Sequence, residues 1–307
     1  MNITLSKTFN TIFLFALFLI TACSNENEST NPINDDYISI PDNHFETKLI
    51  EQGIDTDGVV NQQMLKTDAE KVTRLDLNLS ANFGEISDLT GIEGFVNLTL
   101  LSAANQKIQT VDLSFNTKLD TIYMIGNYLK TIDLSKNINL IFADLQANEF
   151  DSSNSIIGLS NATGLKDLDL SWNYLEEFNI HNESLEVLHI SHNDLKSIDT
   201  DGAVNLKHLL LTSNKLETVD FSTNTAIETL LISDNQLPTL NLEYNSNLTH
   251  LYISSNMLSS FDVSNNYKLV DLRIDRNPDL TCIKVYNGQK IPTIHKSDTQ
   301  ELSLICN

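Results

Sequence analysis

Positive charge is what this chain has least of. Nineteen Lys and Arg stand against 41 Asp and Glu, a formal net charge of −22. A nucleic-acid binder needs a basic footprint, and anionic membranes attract basic segments, so neither is a direct electrostatic partner. Catalytic signatures are absent as well: there is no GxSxG, HExxH, GxGxxG, P-loop or CxxC. Ser, His and Asp are all present, but as composition rather than as a spaced set, so neither an enzyme nor a cofactor is expected. The apolar run TIFLFALFLI at 11–20 is too short to span a bilayer. Cysteine is scarce, with three residues, and there is one tryptophan. Hydrophobic residues still make up 41% of the 307 residues. A core can therefore form, and the acidity reads as a solvated, self-repelling surface.

The run at 11–20 follows Lys7 and ends in Ile20-Thr21-Ala22-Cys23. This pattern of positive start, short apolar stretch and small residues reads as an export signal. Its end resembles the lipobox of bacterial lipoproteins. The resemblance implies cleavage of residues 1–22 and lipid modification of Cys23, with acyl chains as the only membrane attachment. Residues 23–37, beginning SNENESTNPINDD after the cysteine, are polar and lack apolar periodicity, as a flexible tether does. An acidic stretch beside the lipidated cysteine resembles surface-export signals of flavobacterial-type lipoproteins. The expected location is the outer membrane, facing the cell surface, with a periplasm-facing orientation as the alternative. An exported chain sits where disulfides persist, and Cys282 and Cys306 both lie near the C-terminus. A Cys282–Cys306 bridge is expected there, contributing on the order of 3 kcal/mol.

The body is repetitive. An asparagine recurs at Asn127, Asn148, Asn173, Asn193, Asn214, Asn235, Asn256 and Asn277. Most steps are 21 residues; one, from Asn148, is 25, and the next is 20. Apolar residues precede each at offsets of eight, five and three, as in Leu206, Leu209 and Leu211 before Asn214. Others follow at two, five and seven, as in Leu258, Phe261 and Val263 after Asn256. The pattern resembles the leucine-rich repeat, LxxLxLxxN. Its second half, LxxLDLSxN, is similar to the 21-residue bacterial subclass called IRREKO. The resemblance covers residues 72–281. It implies a right-handed superhelix with a parallel β-sheet on the concave face and irregular or short extended segments on the convex face.

The spacing carries its own physics. LxL is a period-2 strand signal that points leucines one way and the residues between them the other. One turn cannot bury its own leucines, so turns must stack. The asparagine sits where the chain leaves the strand. Its amide can satisfy backbone groups that the bend leaves unpaired, which would otherwise cost about 1–3 kcal/mol each. Gln106 takes this place in the first full turn and Ser80 in a degenerate one at 72–92, so a weaker or shifted ladder is expected there. A second asparagine, at Asn116, Asn137, Asn224, Asn245 and Asn266, should bend the opposite side. Solenoids need end caps. Residues 38–71 supply the N-terminal one, a small helix carrying Phe45, Leu49 and Ile50 with Asp42 or Asn43 as N-cap. Residues 282–307 supply the C-terminal one.

Between the leucines lie residues that do not repeat. At minus six and minus four from the ladder asparagines these include Tyr123, Phe142, Asp144, Asp167, Asp169, His189, His208, His250 and Tyr252; Trp172 and His192 stand at minus one. The lone tryptophan, other aromatics and four of seven histidines are thus expected on one open face. Such a face suits binding, although aromatic ladders also stabilise neighbouring strands. His189, His192 and His208 suggest a transition-metal site only if a carboxylate joins them, and no metal is assigned. The echoed IDTDGVVN at 54–61 and IDTDGAVN at 198–205 contain DxDG, a fragment of a calcium loop without its later glutamate; a tight Asp-Gly turn accounts for both more simply. The expected function is non-catalytic binding, which the resemblance implies is adhesion or protein–protein recognition. Glycan capture for a nutrient-uptake system, or a purely structural envelope role, are the alternatives.

Overall fold

The computed structural model describes residues 36–78 and 84–306. The signal segment 1–22, Cys23, most of the tether and Ser80 lie outside the described residues.

From Asp36 onward the chain forms one compact unit, a leucine-rich-repeat solenoid. Eleven three-residue strands stack in sequence order into one parallel sheet, the long sheet. It begins at Arg74–Asp76 and Leu100–Ser102, runs through Asp167–Asp169 and Val187–His189, and ends at Asp271–Arg273 and Thr293–His295. Its register is unslipped, so each central residue faces its counterpart: Leu168 pairs Leu188, Leu188 pairs Leu209, Leu209 pairs Leu230. These central positions are buried and the flanking ones half-exposed throughout most of the sheet. The opposite side carries only short strands, in sheets of two or three such as Glu177–Asn179 with Ser197–Asp199. Leucines from both sides meet in a continuous core.

The N-terminal end is closed by the helix Asn43–Glu51 and a two-stranded antiparallel pair, Tyr37–Ser39 with Gln63–Leu65. Asp42 is the cap, accepting from His44 N and Phe45 N; its second oxygen accepts from Ser87 N and Asp88 N, tying the helix to the first coil. Phe45 and Leu49 are fully buried and Ile50 half-buried. The segment expected as a C-terminal cap instead adds a further coil. Thr293–His295 extends the long sheet, while Cys282–Lys284 and Glu301–Ser303 extend the short sheet opposite. The Cys282–Cys306 disulfide closes this coil, with Cα atoms 5.7 Å apart.

Two ladders of side-chain amides run the length of the stack. In the first, Asn214 is typical. Its Nδ2 donates to Leu211 O of its own turn (3.0 Å) and Ile190 O of the preceding turn (3.1 Å), and its Oδ1 accepts from Leu195 N (3.1 Å). The same pattern recurs at Asn127, Asn193, Asn235, Asn256 and Asn277. Gln106 does not weaken the ladder as expected: its longer arm reaches Leu77 O at 2.7 Å and accepts from Ile86 N. Gln300 does likewise in the last coil, donating to Ile274 O and accepting from Ser297 N. The second ladder joins Asn116, Asn137, Asn182, Asn224, Asn245 and Asn266, and Gln289 ends it. Asn182 was not recognisable in the sequence because its arc is one residue shorter than its neighbours.

Candidate functional site

The long sheet sorts its outward residues into two columns by register. One runs Thr121, Phe142, Asp167, Val187, His208, Thr229, His250, Asp271. The other runs Tyr123, Asp144, Asp169, His189, Leu210, Leu231, Tyr252, Arg273. Facing strands are about 4.8 Å apart, so neighbours within a column touch or nearly do. These strands therefore bring most of the sequence-chosen residues onto one surface, in three groups.

The first group is aromatic: the rings of Tyr123 and Phe142 lie 4.9 Å apart, tilted by 42°. The second is acidic. Asp144, Asp167 and Asp169 come from two adjacent strands, and His189 from the next. Burial raises the Asp144 and Asp167 carboxyls above the usual range, and the neighbouring carboxylates add to it. Burial acts on Asp169 too, but hydrogen bonds from His189 and Ser171 outweigh it and hold its carboxyl low. His189 Nδ1 lies 3.4 Å from Asp169 Oδ2, and that contact raises the imidazole above its ordinary value. The third group closes on itself: Tyr252 donates to Asp271 Oδ2 at 2.8 Å, and the Arg273 guanidinium sits 4.0 Å above the tyrosine ring. His250 meets Thr249, its Nδ1 2.9 Å from the hydroxyl. His208 is half-exposed in its column.

Trp172 and His192 are built differently. The residue before each first-ladder amide from Gln106 to Asn277 has a left-handed backbone: Asn105, Gly126, Ala147, Trp172, His192, Ser213, Asp234, Ser255 and Arg276 have φ between 53° and 70°. The bend that lets the next amide turn inward imposes this conformation. Bulky L-residues adopt it at a cost of about 1–2 kcal/mol. At this rim the Trp172 and His192 rings stack, centroids 3.9 Å apart and planes within 13°, and Trp172 remains 57% exposed. The sequence hinted at this column only through Gly126.

Among the described residues, no group of three or more His, Cys, Asp or Glu has the geometry to hold a metal ion. The two Asp-Gly segments are turns that their own side chains stitch: Asp57 Oδ1 accepts from Val59 N, and Asp199 Oδ1 from Asp201 N. Glu46, fully buried, accepts from the amides of Asn61, Gln62 and Gln63 and fixes the first of these loops to the helix.

No family model matches the chain. Among curated proteins, lumican of Mus musculus is 28% identical over 178 residues, 46% of this chain and 52% of lumican. Human lumican is 27% identical over the same length. The chain thus spans about half the length of the curated relatives it matches. Among solved structures, the APL1 leucine-rich repeat domain superposes with a TM-score of 0.60 at 22% identity, covering 77% of this chain and 65% of that one. The LRIM1/APL1C complex gives 0.59 at 22%, covering 77% and 46%. The octameric complex of latrophilin 3, Unc5D and the leucine-rich repeats of FLRT2 gives 0.53 at 17%, covering 73% and 81%. At these identities the likeness is one of fold.

Proposed function

We propose that this chain is a non-catalytic recognition module that binds a protein partner through the outward columns of the long sheet. The carrying observation is the division of labour within each turn. Leucines and amides repeat because every coil solves the same burial problem, whereas the outward positions vary and bring aromatic rings, carboxylates and imidazoles together on one face. A purely structural face has no need of an exposed tryptophan held in a strained backbone. Two of the fold neighbours were captured inside protein complexes, which supports a protein over a small molecule as the ligand class. In the same reading, Cys23 carries lipid and holds the module at the bacterial outer membrane, facing the cell surface, for adhesion or recognition.

The test is capture from envelope and surface extracts with the full chain, comparing two triple variants. Tyr123→Ala, Trp172→Ala and Tyr252→Ala together should abolish capture. Phe115→Ala, Tyr244→Ala and Tyr267→Ala, exposed side chains outside the long sheet, should leave it intact. The reverse outcome refutes the reading. Membrane anchoring is checked separately by incorporation of a labelled fatty acid, which Cys23→Ala should eliminate.

A further inference from the structure

The rim at Trp172 narrows the partner's chemistry. The left-handed position holds small side chains on the two preceding turns, Gly126 and Ala147, then two rings, then Ser213. His192 covers one face of the indole. Toward the preceding turn the equivalent residue is Ala147, whose methyl is too small to cover the indole as His192 does, and Trp172 stays 57% exposed. The result is a flat, backed and solvent-facing aromatic shelf above a small residue. A backed ring loses little freedom when something stacks on it, which suits it as an anchor.

The charge beside the shelf says what stacks there. Asp144, Asp167 and Asp169 lie on the strands of the same two turns, and His189 is paired with one of them. Arg74 and Arg273, at the two ends, are the only Lys or Arg among the outward strand residues of the long sheet, and Arg273 is already held by Tyr252 and Asp271. The middle of the face therefore carries carboxylates without a Lys or Arg of its own, and His189 answers only Asp169 by direct contact. Of the groups that stack on an indole, the guanidinium is flat, cationic and able to donate to carboxylates from its edge. A sugar ring would stack but leave the charge unanswered, and an anionic polymer would be repelled.

Resting on the recognition reading above, we infer that the partner presents an arginine-bearing basic segment, one guanidinium stacking on Trp172 and further cationic residues lying along Asp144, Asp167 and Asp169. The probe is a synthetic twelve-residue peptide alternating arginine and serine, titrated calorimetrically against the full chain carrying Cys23→Ala at 150 mM salt. Matched peptides carry lysine or citrulline, and a neutral oligosaccharide, cellohexaose, is the uncharged stacking control. The arginine peptide should bind at least tenfold more tightly than the lysine peptide, and citrulline should remove binding. Trp172→Ala should bring the arginine peptide down to the lysine value without changing the lysine peptide; the fold tolerates alanine here because Ala147 already adopts φ 53°. Asp144→Asn with Asp167→Asn should weaken both peptides about tenfold. Asp220→Asn with Glu243→Gln, exposed carboxylates outside the long sheet, should change affinity less than twofold. Equal binding of arginine and lysine peptides, indifference to Trp172→Ala, binding of cellohexaose instead, or no binding at all each overturns the inference. If the peptides fail while the Tyr123, Trp172 and Tyr252 variant still abolishes capture, recognition by this face stands and only the arginine partner falls.

Discussion

The two amide ladders occupy opposite sides of the same coil and use the same residue, yet they are satisfied to different degrees. Along the first, the amide donates to carbonyls of two successive turns while its oxygen accepts a backbone amide, as at Asn214. Along the second, the amide donates to two carbonyls of the preceding turn, but Oδ1 of Asn116, Asn137, Asn245 and Asn266 is buried without a partner. Among the described residues, none of the first-ladder amides has such an orphaned atom. The second ladder is also interrupted. Asn182 and Asn224 donate to the carbonyls of Ala162 and Ala203, where their neighbours in the ladder donate to another asparagine. The difference follows from what each bend must do. On the strand side the chain turns sharply through a left-handed residue and strands an amide as well as carbonyls. On the opposite side the arc is gentler, and the carbonyls the asparagine reaches also take a backbone amide, as Phe221 O does from Asn224 N.

The largest effect should come from breaking the fully used ladder. Asn214→Ala leaves Leu195 N buried and unpaired and removes one of the two amide donors from each of Ile190 O and Leu211 O, which keep Asn193 Nδ2 and Asn235 Nδ2. The orphaned amide costs about 1–3 kcal/mol and the two lost second bonds to the carbonyls add to it, so the loss should be about 2–4 kcal/mol. Urea unfolding checks this; a loss under 1 kcal/mol would mean that the strand-side bend can re-pair its own backbone.

This asymmetry bears on what the sequence made legible. The leucine offsets and the first ladder were readable because burial and bending leave few chemical solutions. Leu206, Leu209 and Leu211, chosen by spacing alone, are all fully buried. The outward columns followed from the same period-2 geometry. Three features were not readable. The final coil hid because glutamine replaces asparagine in both ladders: from Asn277 to Gln300 and from Asn266 to Gln289 the step is 23 residues, as the numbering shows. Gln106, at the other end, does the same job and was the available clue. Asn182 hid because its arc is a residue short. The Trp172–His192 stack hid because a left-handed position tolerates chemically unrelated residues when the bend on either side is over-determined.

Another orphaned oxygen, Asp55 Oδ2, lies in the N-terminal cap. The carboxyl is 2% exposed, and burial, with repulsion from Asp57, Glu46 and Asp68, pushes it up to about 6. Because its folded value lies above the unfolded 3.8, the folded state holds this proton more tightly between those two values. Stability from this group is complete below pH 3.8 and is lost as pH rises through about 6. Asp42 and Asp68, both held low, act in the opposite sense and lose their contribution only as pH falls below 3.8. Asp55→Asn should therefore stabilise the protein by up to ~3 kcal/mol at pH 7, from 1.36 kcal/mol per pH unit. It should do almost nothing at pH 3.5. Thermal unfolding across pH 3.5–7.5 checks it, and a pH-independent difference between variant and parent would refute it.

The half-used ladder should yield more gently. Asn245→Ala takes the side-chain donor from Phe221 O and Asn224 O, which keep the backbone amides of Asn224 and Ile227, and also removes an orphaned oxygen. The two effects oppose each other, and Ala203 shows that a coil closes with alanine in the equivalent place. The expected loss is about 1 kcal/mol. A loss equal to that of Asn214→Ala would erase the distinction between the ladders.

The finest probe is Thr200, buried in the coil where Ala203 interrupts the second ladder. Its hydroxyl donates to Asn224 Oδ1 at 2.8 Å, supplying the partner that Asn116, Asn137, Asn245 and Asn266 lack. Residues at the corresponding place in other coils, Phe221 and Leu242, are apolar, so they cannot donate. Thr200→Val keeps the side-chain shape and orphans the Asn224 oxygen. Losing that hydrogen bond costs about 1 kcal/mol, and the added apolar burial offsets part of it, so the net change should stay below ~1 kcal/mol. Denaturant midpoints measured beside Asn245→Ala decide the point. If Thr200→Val is as harmful as Asn214→Ala, an orphaned oxygen on this side is not tolerable after all. The four standing orphans would then have to owe their survival to something other than the gentler arc.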